Sequence, residues 1–279
     1  MGDAGYRGLV IINQIMGRAY SEQRDDVTLT CGAGEILDAV VADTVARNYW
    51  GLENLSAIPG TVGATPIQNV GAYGVEVSSL VTAVRAVHVD TLEEKVFSTA
   101  ACQFGYRDSF FKTSEGRAWV VVEVTVLLSK APAPQLTYGA LAELQSQTNL
   151  SSSQVREKVV SIRAGKFPDW HIVGTAGSFF KNPIISRAQY EQLCEKYPEL
   201  PGYPTPVGEV KVSLGWILDH VCHLRGYCQD GVCLYEQQAL VLVNVAAKNA
   251  NAIDVFADHI ANRVADKTGI SIEREVRKV

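Results

Sequence analysis

Short runs of β-branched residues that alternate with amphipathic helical segments predict a protein of the α/β or α+β class. The chain has 279 residues, a length that fits one large domain or two ordinary ones, and we expect two. Hydrophobic residues make up 47% of the sequence and charged residues 20%, which is the balance of a folded globular protein rather than a disordered one.

The first elements along the chain are predicted as two strands and a helix. Residues 9–13 and 27–31 are short β-branched runs, which are typical of buried strands. A glycine turn follows, and apolar periodicity from residue 35 to about residue 48 predicts a helix. Two longer runs, 81–97 and 119–128, predict sheet strands, and the second is apolar enough to be central.

A glycine-rich stretch, residues 51–77, has the sequence GLENLSAIPGTVGATPIQNVGAYGVEV, with two prolines and little periodicity. Its apolar content predicts a long ordered loop, and such loops in compact domains are often functional. Glycines let backbone N–H groups approach a large polar ligand that carries phosphates and a flat ring. The spacing matches neither G-x-G-x-x-G nor the P-loop, so it predicts only a loop that wraps a ligand.

The segment QFGYRDSFFK, between the two long strands, contains Arg107. One interpretation is an ordinary surface ion pair with Asp108, which contributes little. The other is a guanidinium that binds a substrate carboxylate through two hydrogen bonds. The pattern of residues leaves both interpretations open.

A helix is predicted after the proline-bearing linker APAPQLTYG, with Ser151 to Ser153 as its cap. Its apolar stripe continues to Lys166 at the C-terminal end. Lys166 is either a partner of the helix dipole or, together with Arg163, a ligand for a diphosphate. We place the domain boundary near Pro168, which ends the helix.

Strands and helices alternate again in the second half. Residues 177–185, 238–244 and 270–279 predict strands, residues 186–196, 211–221 and 251–266 predict helices, and the proline-rich residues 198–206 predict a loop. From the pattern alone, Ser178 is a turn or cap hydroxyl and Glu275 is a solvated position on an amphipathic strand.

The six cysteines are too sparse to predict a disulfide framework, and we expect reduced thiols. Cys222, Cys228 and Cys233 cluster with His220 and His223, which raises the alternative of a zinc site. Their C-x5-C-x4-C spacing lacks the paired CxxC knuckles of structural zinc sites. We therefore predict no metal site.

Charge and hydropathy argue against several partners. The formal net charge is −5, and Lys and Arg are scattered without a basic block that could follow a phosphate backbone. No apolar run approaches the ~20 residues that cross a bilayer, and the N-terminus lacks a secretory signal pattern. We expect a cytoplasmic monomer that binds neither nucleic acid nor membrane.

Six segments in order resemble the UDP-N-acetylenolpyruvoylglucosamine reductase family, also called UDP-N-acetylmuramate dehydrogenases. They are the glycine-rich stretch, FGYRDSFFK, LTYG, GTAGSFFKNP, QQALVLVN and EREVRKV, and the resemblance runs from residue 6 to residue 279. It implies an FAD-dependent enzyme that reduces UDP-N-acetylglucosamine enolpyruvate to UDP-N-acetylmuramate in peptidoglycan precursor synthesis. NADPH reduces the flavin first, and the reduced flavin then delivers a hydride to the vinyl carbon of the substrate.

The resemblance also implies roles for individual residues. Ser178 is the proton donor, and Arg107 and Glu275 hold the substrate carboxylate and the enol-like intermediate. Glu275 must then carry a proton, or be hydrogen-bonded in that sense, to lie near an anion without repelling it. The substrate-binding positions are Tyr138, Lys166 and Asn182, with Arg163 and Gln238 as second choices. The flavin-binding positions are Gly60, Gly63, Asn69, Gly71, Ala72 and Gly74.

The implied fold is α+β, with a split FAD-binding domain at 1–168, to which a strand at 269–279 returns, and a substrate-binding domain at 169–268. LTYG resembles the branch of the family that closes a tyrosine loop over the substrate. The family's N-terminal βαβ segment with its GxGSN turn has no counterpart here, which makes the cofactor domain incomplete. We expect either a start downstream of the true one or a shortened form that retains FAD poorly.

Two smaller departures are Arg274, where the family often has proline, and LYEQQ around Glu236. Two rival functions remain to be separated by experiment. One is a different flavin oxidoreductase on the same split fold, and the other is a non-catalytic remnant that binds UDP-sugars.

Overall fold

The computed structural model describes residues 3, 5–247 and 249–277 and divides the chain into two compact units. The N-terminal unit is Val10–Arg163, and the C-terminal unit combines Met1–Leu9 with Ala164–Val279. Both units contain strands and helices, so the predicted α+β class is confirmed. Among the described residues, every helix is too short or too polar to cross a bilayer.

The N-terminal unit is built on a five-stranded antiparallel sheet. The strands of this unit are β1 Arg18–Glu22, β2 Asp26–Gly32, β3 Gly71–Ala72, β4 Val75–Glu76, β5 Val81–His88, β6 Glu94–Ser98 and β7 Trp119–Ser129. The large sheet has the order β1-β2-β7-β5-β6, and β3 and β4 form a separate hairpin. β7 is central, as its apolar sequence predicts. Helix α1, Leu37–Ala46, confirms the predicted helix, and α2, Ser152–Lys166, confirms the one predicted after the linker.

Two strand predictions in this unit need correction. The edge position beside β2 is occupied by β1, and residues 9–13 are largely exposed and form no strand. The predicted strand 81–97 is a hairpin, because a turn at residues 89–93 with Leu92 at φ 58° separates β5 from β6. Periodicity does not show such a turn when the residues on both sides are β-branched.

The glycine-rich stretch is an ordered loop, as predicted. Three short 3₁₀ turns, Glu53–Leu55, Val62–Ala64 and Val77–Ser79, shape its backbone, and the β3–β4 hairpin lies between the last two. Tyr73 and Gly74, the two turn residues of that hairpin, both have positive φ, at 50° and 87°. This is the type I′ turn, whose twist matches the flanking strands and which favours glycine at its second position.

Glu53 is a buried carboxyl within this loop, with 1% of its surface exposed. Its Oε2 accepts a 2.6 Å hydrogen bond from the Gly51 N–H, and its buried Oε1 has no hydrogen-bond partner among the residues that the structure describes. Burial raises the pKa of Glu53, and the Gly51 hydrogen bond only partly opposes that effect. The folded chain therefore holds the Glu53 proton more tightly than the unfolded chain does.

This burial predicts how stability changes with pH. The contribution of the Glu53 proton is complete below the unfolded pKa and is lost as pH rises through the raised folded pKa. Glu53→Gln removes the titration, so its free energy of unfolding should fall less steeply than that of the wild type between acidic and neutral pH. Urea unfolding at several pH values measures the slopes. Glu115→Gln, the same change at an exposed position, should keep the wild-type slope, and equal slopes for all three proteins would contradict the prediction.

The C-terminal unit contains two small sheets. Its strands are β8 Gly174–Ser178, β9 Ile184–Ile185, β10 Gly202–Pro204, β11 Val210–Val212, β12 Cys228–Gln229, β13 Val232–Leu234 and β14 Val241–Asn244. The sheet orders are β12-β13-β14-β8 and β10-β11-β9. The helices are α3 Arg187–Lys196, α4 Leu214–Trp216 and α5 Ala250–Thr268, and a π-helical turn, Ile217–Val221, continues α4. α3 and α5 confirm two predicted helices.

Four predictions in this unit are wrong in detail. The predicted strand 177–185 is the end of β8 and the whole of β9, because residues 179–183 between them form no regular strand. The predicted helix 211–221 begins as strand β11, and the helix starts only after Ser213, whose hydroxyl accepts from the Trp216 N–H. The predicted loop 198–206 contains β10. Residues 270–277 form no strand among the described residues and make one isolated bridge, between Phe180 and Arg274. Residues 278 and 279, the rest of that predicted strand, lie outside the described residues.

The expectation of reduced thiols is wrong for two cysteines, because Cys228 and Cys233 form a disulfide. Asp230 and Gly231, both at positive φ, make the tight turn between β12 and β13. That turn sets Cys228 directly opposite Cys233, with their Cα atoms 4.1 Å apart. The disulfide thus follows from a hairpin register that cysteine spacing does not reveal. Among the described residues, no group of three or more His, Cys, Asp or Glu side chains is placed to hold a metal ion.

Candidate functional site

Asn69 organises the glycine-rich loop from within. It is 1% exposed, and its Nδ2 donates 2.9 Å hydrogen bonds to Glu76 Oε2 and to the Gly105 carbonyl. Its Oδ1 accepts from the Ser78 N–H at 3.0 Å. Both amide hydrogens are therefore committed within the protein. The side chain fixes the loop conformation and the position of the turn at Gly105.

Two features of the loop suit a large flat cofactor: a stretch without charged side chains, and a glycine that faces open space. Residues 58–75 contain no Asp, Glu, Lys or Arg, so the loop offers backbone groups and apolar side chains. Gly63 packs against the turn that follows β2, where a Cβ would lie 2.6 Å from the Ala33 Cβ. Gly60, at φ 110°, faces open space instead, and a Cβ there would meet no atom within 4 Å. Gly71 and Ala72 are the two residues of β3 and are half-buried.

Arg107 lies on a tight turn between Gly105 and Asp108, with φ 52°. Its Nη2 donates a 2.6 Å hydrogen bond to the Gly71 carbonyl, and its Nη1 lies 3.5 Å from the Asn69 carbonyl. The guanidinium therefore reaches the glycine-rich loop rather than serving only as a surface charge. Sequence reasoning missed this contact, which joins residues 36 positions apart.

Tyr138 and Arg163 both lie near Tyr73 of the same loop. The ring of Tyr138 is perpendicular to that of Tyr73, with centroids 5.2 Å apart. Arg163, on α2, donates from Nε to the Ala57 carbonyl at 3.1 Å. Burial lowers the pKa of Arg163, although the Tyr73 hydroxyl and Asp38 oppose that effect. Arg163 is half-buried, and its bond to the Ala57 carbonyl holds it against the glycine-rich loop. Lys166 ends α2 in a half-buried position.

Ser178 ends β8, and its position depends on a β-bulge. Ser178 pairs with Val241 and Thr175 with Val243, so Ala176 and Gly177 face a single residue of β14. The Thr175 hydroxyl supports the bulge, since it donates to the Leu242 carbonyl at 2.8 Å and accepts from the Gly177 N–H at 3.0 Å. Gly177 has φ 75°, a conformation that favours glycine.

The bulge redirects the chain just before Ser178, which is half-buried. Bulges of this kind are common beside active sites, where they aim a side chain. Sequence reasoning missed the roles of Thr175 and Gly177, and the available signal was a glycine at the start of a predicted strand.

Asn182 and Gln238 contact the beginning of α4. Asn182 Oδ1 accepts a 3.0 Å hydrogen bond from the Leu214 N–H. Gln238 Oε1 accepts from the Leu240 N–H at 3.4 Å and would lie 2.9 Å from a Cβ at Gly215. Both side chains are therefore held beside the first turn of that helix.

Glu275 is brought next to the Ser178 segment by backbone hydrogen bonds. The Glu275 N–H donates to the Phe179 carbonyl at 2.8 Å, and the Lys181 N–H donates to the Glu273 carbonyl at 2.9 Å. Phe179 directly follows Ser178, so the C-terminal unit places these two predicted residues on adjoining backbone segments. They are almost a hundred residues apart in the sequence, and only the resemblance had linked them.

Comparison with known proteins identifies related families and chains. Residues 169–279 match the family model "UDP-N-acetylenolpyruvoylglucosamine reductase, C-terminal domain", and residues 1–95 match "FAD binding domain". The chain is 42% identical over 272 residues to a UDP-N-acetylenolpyruvoylglucosamine reductase of Photobacterium profundum, covering 98% of this chain and 78% of that one. It is 38% identical over 279 residues to that of Porphyromonas gingivalis, covering 99% and 82%.

A solved structure also resembles the chain. The UDP-N-acetylenolpyruvylglucosamine reductase from Thermus caldophilus matches with a TM-score of 0.60 and 22% identity, covering 89% of this chain and 71% of that one. At this identity the likeness concerns the fold.

Proposed function

Because the chain belongs to the UDP-N-acetylenolpyruvoylglucosamine reductase family, we propose roles in that reaction for its individual residues. The activity is the FAD-dependent, NADPH-driven reduction of UDP-N-acetylglucosamine enolpyruvate in peptidoglycan precursor synthesis. The observation that supports the roles best is the hydrogen bond from the Glu275 N–H to the Phe179 carbonyl, which fixes Glu275 beside the Ser178 segment.

FAD would be held by the glycine-rich loop, and when bound it supplies the hydride that the vinyl carbon accepts. Gly60, Gly63, Gly71, Ala72 and Gly74 would contact it through their backbone. Asn69 contributes indirectly, because its side chain holds the loop in shape.

Ser178 gives its hydroxyl proton to the substrate carbon that becomes negatively charged. A serine hydroxyl is a weak acid, so this transfer requires a strongly basic acceptor and a fixed donor position. The bulge at Ala176 and Gly177 supplies the fixed position. The half-buried position of Ser178 also reduces competition from water.

Arg107 and Glu275 bind the carboxylate end of the substrate. A guanidinium strengthens its hold as negative charge spreads onto the carboxylate, which is stabilisation of the transition state. A protonated Glu275 adds a hydrogen bond without adding a second negative charge.

The UDP portion is assigned to the remaining polar residues. Lys166 and Asn182 are directed to the diphosphate, Tyr138 covers the substrate, and Arg163 and Gln238 are secondary contacts. The domain that binds FAD ends near Pro168 and the substrate domain follows, which the start of the C-terminal family match at residue 169 supports. We further propose a cytoplasmic monomer.

The proposed activity is tested by following NADPH oxidation with the purified, FAD-loaded protein. Oxidation should depend on the enolpyruvyl nucleotide and should yield UDP-N-acetylmuramate in equal amount. UDP-N-acetylglucosamine, which lacks the vinyl group, is the matched control and should give no turnover. Steady oxidation with unrelated acceptors would instead favour another flavin oxidoreductase, and tight UDP-sugar binding without turnover would favour a non-catalytic protein.

A further inference from the structure

Arg274 joins the segment that carries Glu275 to helix α5. Its Nη1 donates to Asp254 Oδ1 at 2.6 Å, and its Nη2 donates to the Asp254 carbonyl at 2.9 Å and to Asp258 Oδ1 at 2.6 Å. The two aspartates are one helical turn apart, so the planar guanidinium spans that turn. With 30% of its side chain exposed, Arg274 is better shielded than a typical surface ion pair.

Helix α5 is a firm support for this contact. Phe256, Ala257, Ile260 and Val264 on its inner face are at most 1% exposed. Asn249 caps its start, where the side chain accepts from the Ala252 N–H, and Gly269 ends it in a left-handed conformation. Asp254 therefore belongs to a rigid element, not to a mobile loop.

The backbone on either side of Arg274 is fixed to a second element. Glu273 accepts from the Lys181 N–H and Glu275 donates to the Phe179 carbonyl, so the residues next to Arg274 pair with the chain that follows Ser178. The segment thus has its backbone on one element and its Arg274 side chain on another. Residues 270–277 form no regular strand, so these contacts, with the buried Ile270, contribute to fixing where Glu275 lies.

We propose that Arg274 is a positioning residue that sets Glu275 relative to Ser178 through its bonds to Asp254 and Asp258. This inference rests on the proposed roles of Ser178 and Glu275. The reason is geometric: a catalytic group displaced by about 1 Å can lose about a hundredfold in rate. The backbone hydrogen bonds and the packing of Ile272 and Val276 hold the segment on the side of Phe179, and the guanidinium adds a tie to α5.

The first test separates the two half-reactions in FAD-loaded protein by stopped flow. Arg274→Ala should slow reduction of the enolpyruvyl nucleotide by about 10- to 100-fold while KM changes little, and NADPH should reduce the flavin at the wild-type rate. Arg274→Lys keeps the charge but loses the planar guanidinium, so its rate of substrate reduction should lie between those of the wild type and Arg274→Ala. Glu273→Gln is the matched control on the same segment, because the Glu273 carboxylate is 75% exposed and its ion pair with Lys181 contributes little. Wild-type turnover in Arg274→Ala would overturn the proposal.

The second test asks whether Arg274 acts through Glu275. In a Glu275→Ala background, adding Arg274→Ala should cause no further loss, whereas an independent structural role gives additive losses and contradicts the proposal. Asp258→Ala removes one of the three contacts and should give a smaller loss in the same direction, even if Arg274→Ala fails to fold. If Ser178→Ala and Glu275→Ala leave turnover unchanged, the proposed roles are wrong. If they abolish it and Arg274→Ala does not slow it, only the positioning inference fails.

Discussion

Ser178→Ala should leave reduction of the flavin by NADPH intact and should slow reduction of the enolpyruvyl nucleotide by at least about 10²- to 10⁴-fold, the usual contribution of a positioned acid. The substitution removes the only proton donor on the side chain and keeps its Cβ. Because Gly177 and Thr175 fix the backbone, the bulge should survive the change. Single-turnover kinetics for each half-reaction measures the two effects separately.

The matched control is Ser271→Ala, the same change at an exposed serine of the same unit. It should keep wild-type rates in both half-reactions. Solvent hydrogen isotope incorporation at the protonated carbon gives a second measure, since a water molecule that replaces Ser178 would protonate with reduced facial selectivity. An unimpaired second half-reaction in Ser178→Ala would remove Ser178 from its proposed role.

The elements that sequence patterns predicted correctly are those whose signal is local. β7 is a long apolar run, and α2, α3 and α5 combine periodicity with capping residues. The prediction of a strand at 270–279 was wrong, because alternation of apolar and polar residues indicates which side chains are buried and not whether the backbone pairs with a sheet. Ile270 is buried against the core of its own unit, while the described backbone of this segment makes one isolated bridge, at Arg274.

The candidate site could be predicted from the sequence only in part, for a similar reason. A resemblance to a family assigned Ser178, Arg107 and Glu275, but it could not supply the contacts that hold them. The Thr175 hydroxyl, the fork of Arg274 and the reach of Arg107 to Gly71 all join residues that are distant in sequence or form an irregular ladder. We expect irregular backbone at a functional site, because binding and catalysis there require conformations that local sequence preferences do not predict.

Arg107 contacts the glycine-rich loop and is proposed to bind the substrate carboxylate, and substitution can separate these two roles. Arg107→Lys keeps a positive charge but loses the planar fork, and it should lower kcat/KM for the enolpyruvyl nucleotide by about 10²- to 10³-fold, the usual cost of removing one donor to a developing anion. Arg107→Ala also removes the hydrogen bond to the Gly71 carbonyl, so it should in addition weaken retention of FAD. Flavin fluorescence after dialysis measures that retention.

The comparison of half-reactions then decides which duty dominates. If Arg107 binds the substrate, Arg107→Lys slows the second half-reaction and leaves flavin reduction by NADPH near the wild-type rate. If the guanidinium serves only to support the loop, both half-reactions and FAD retention decline together, and the assignment to the carboxylate is wrong. Arg117→Lys, at an exposed position of the same unit, should change neither the rates of the two half-reactions nor the retention of FAD. The 2.6 Å bond to Gly71 makes this a real alternative, since a guanidinium with five donors can support a loop and bind an anion together.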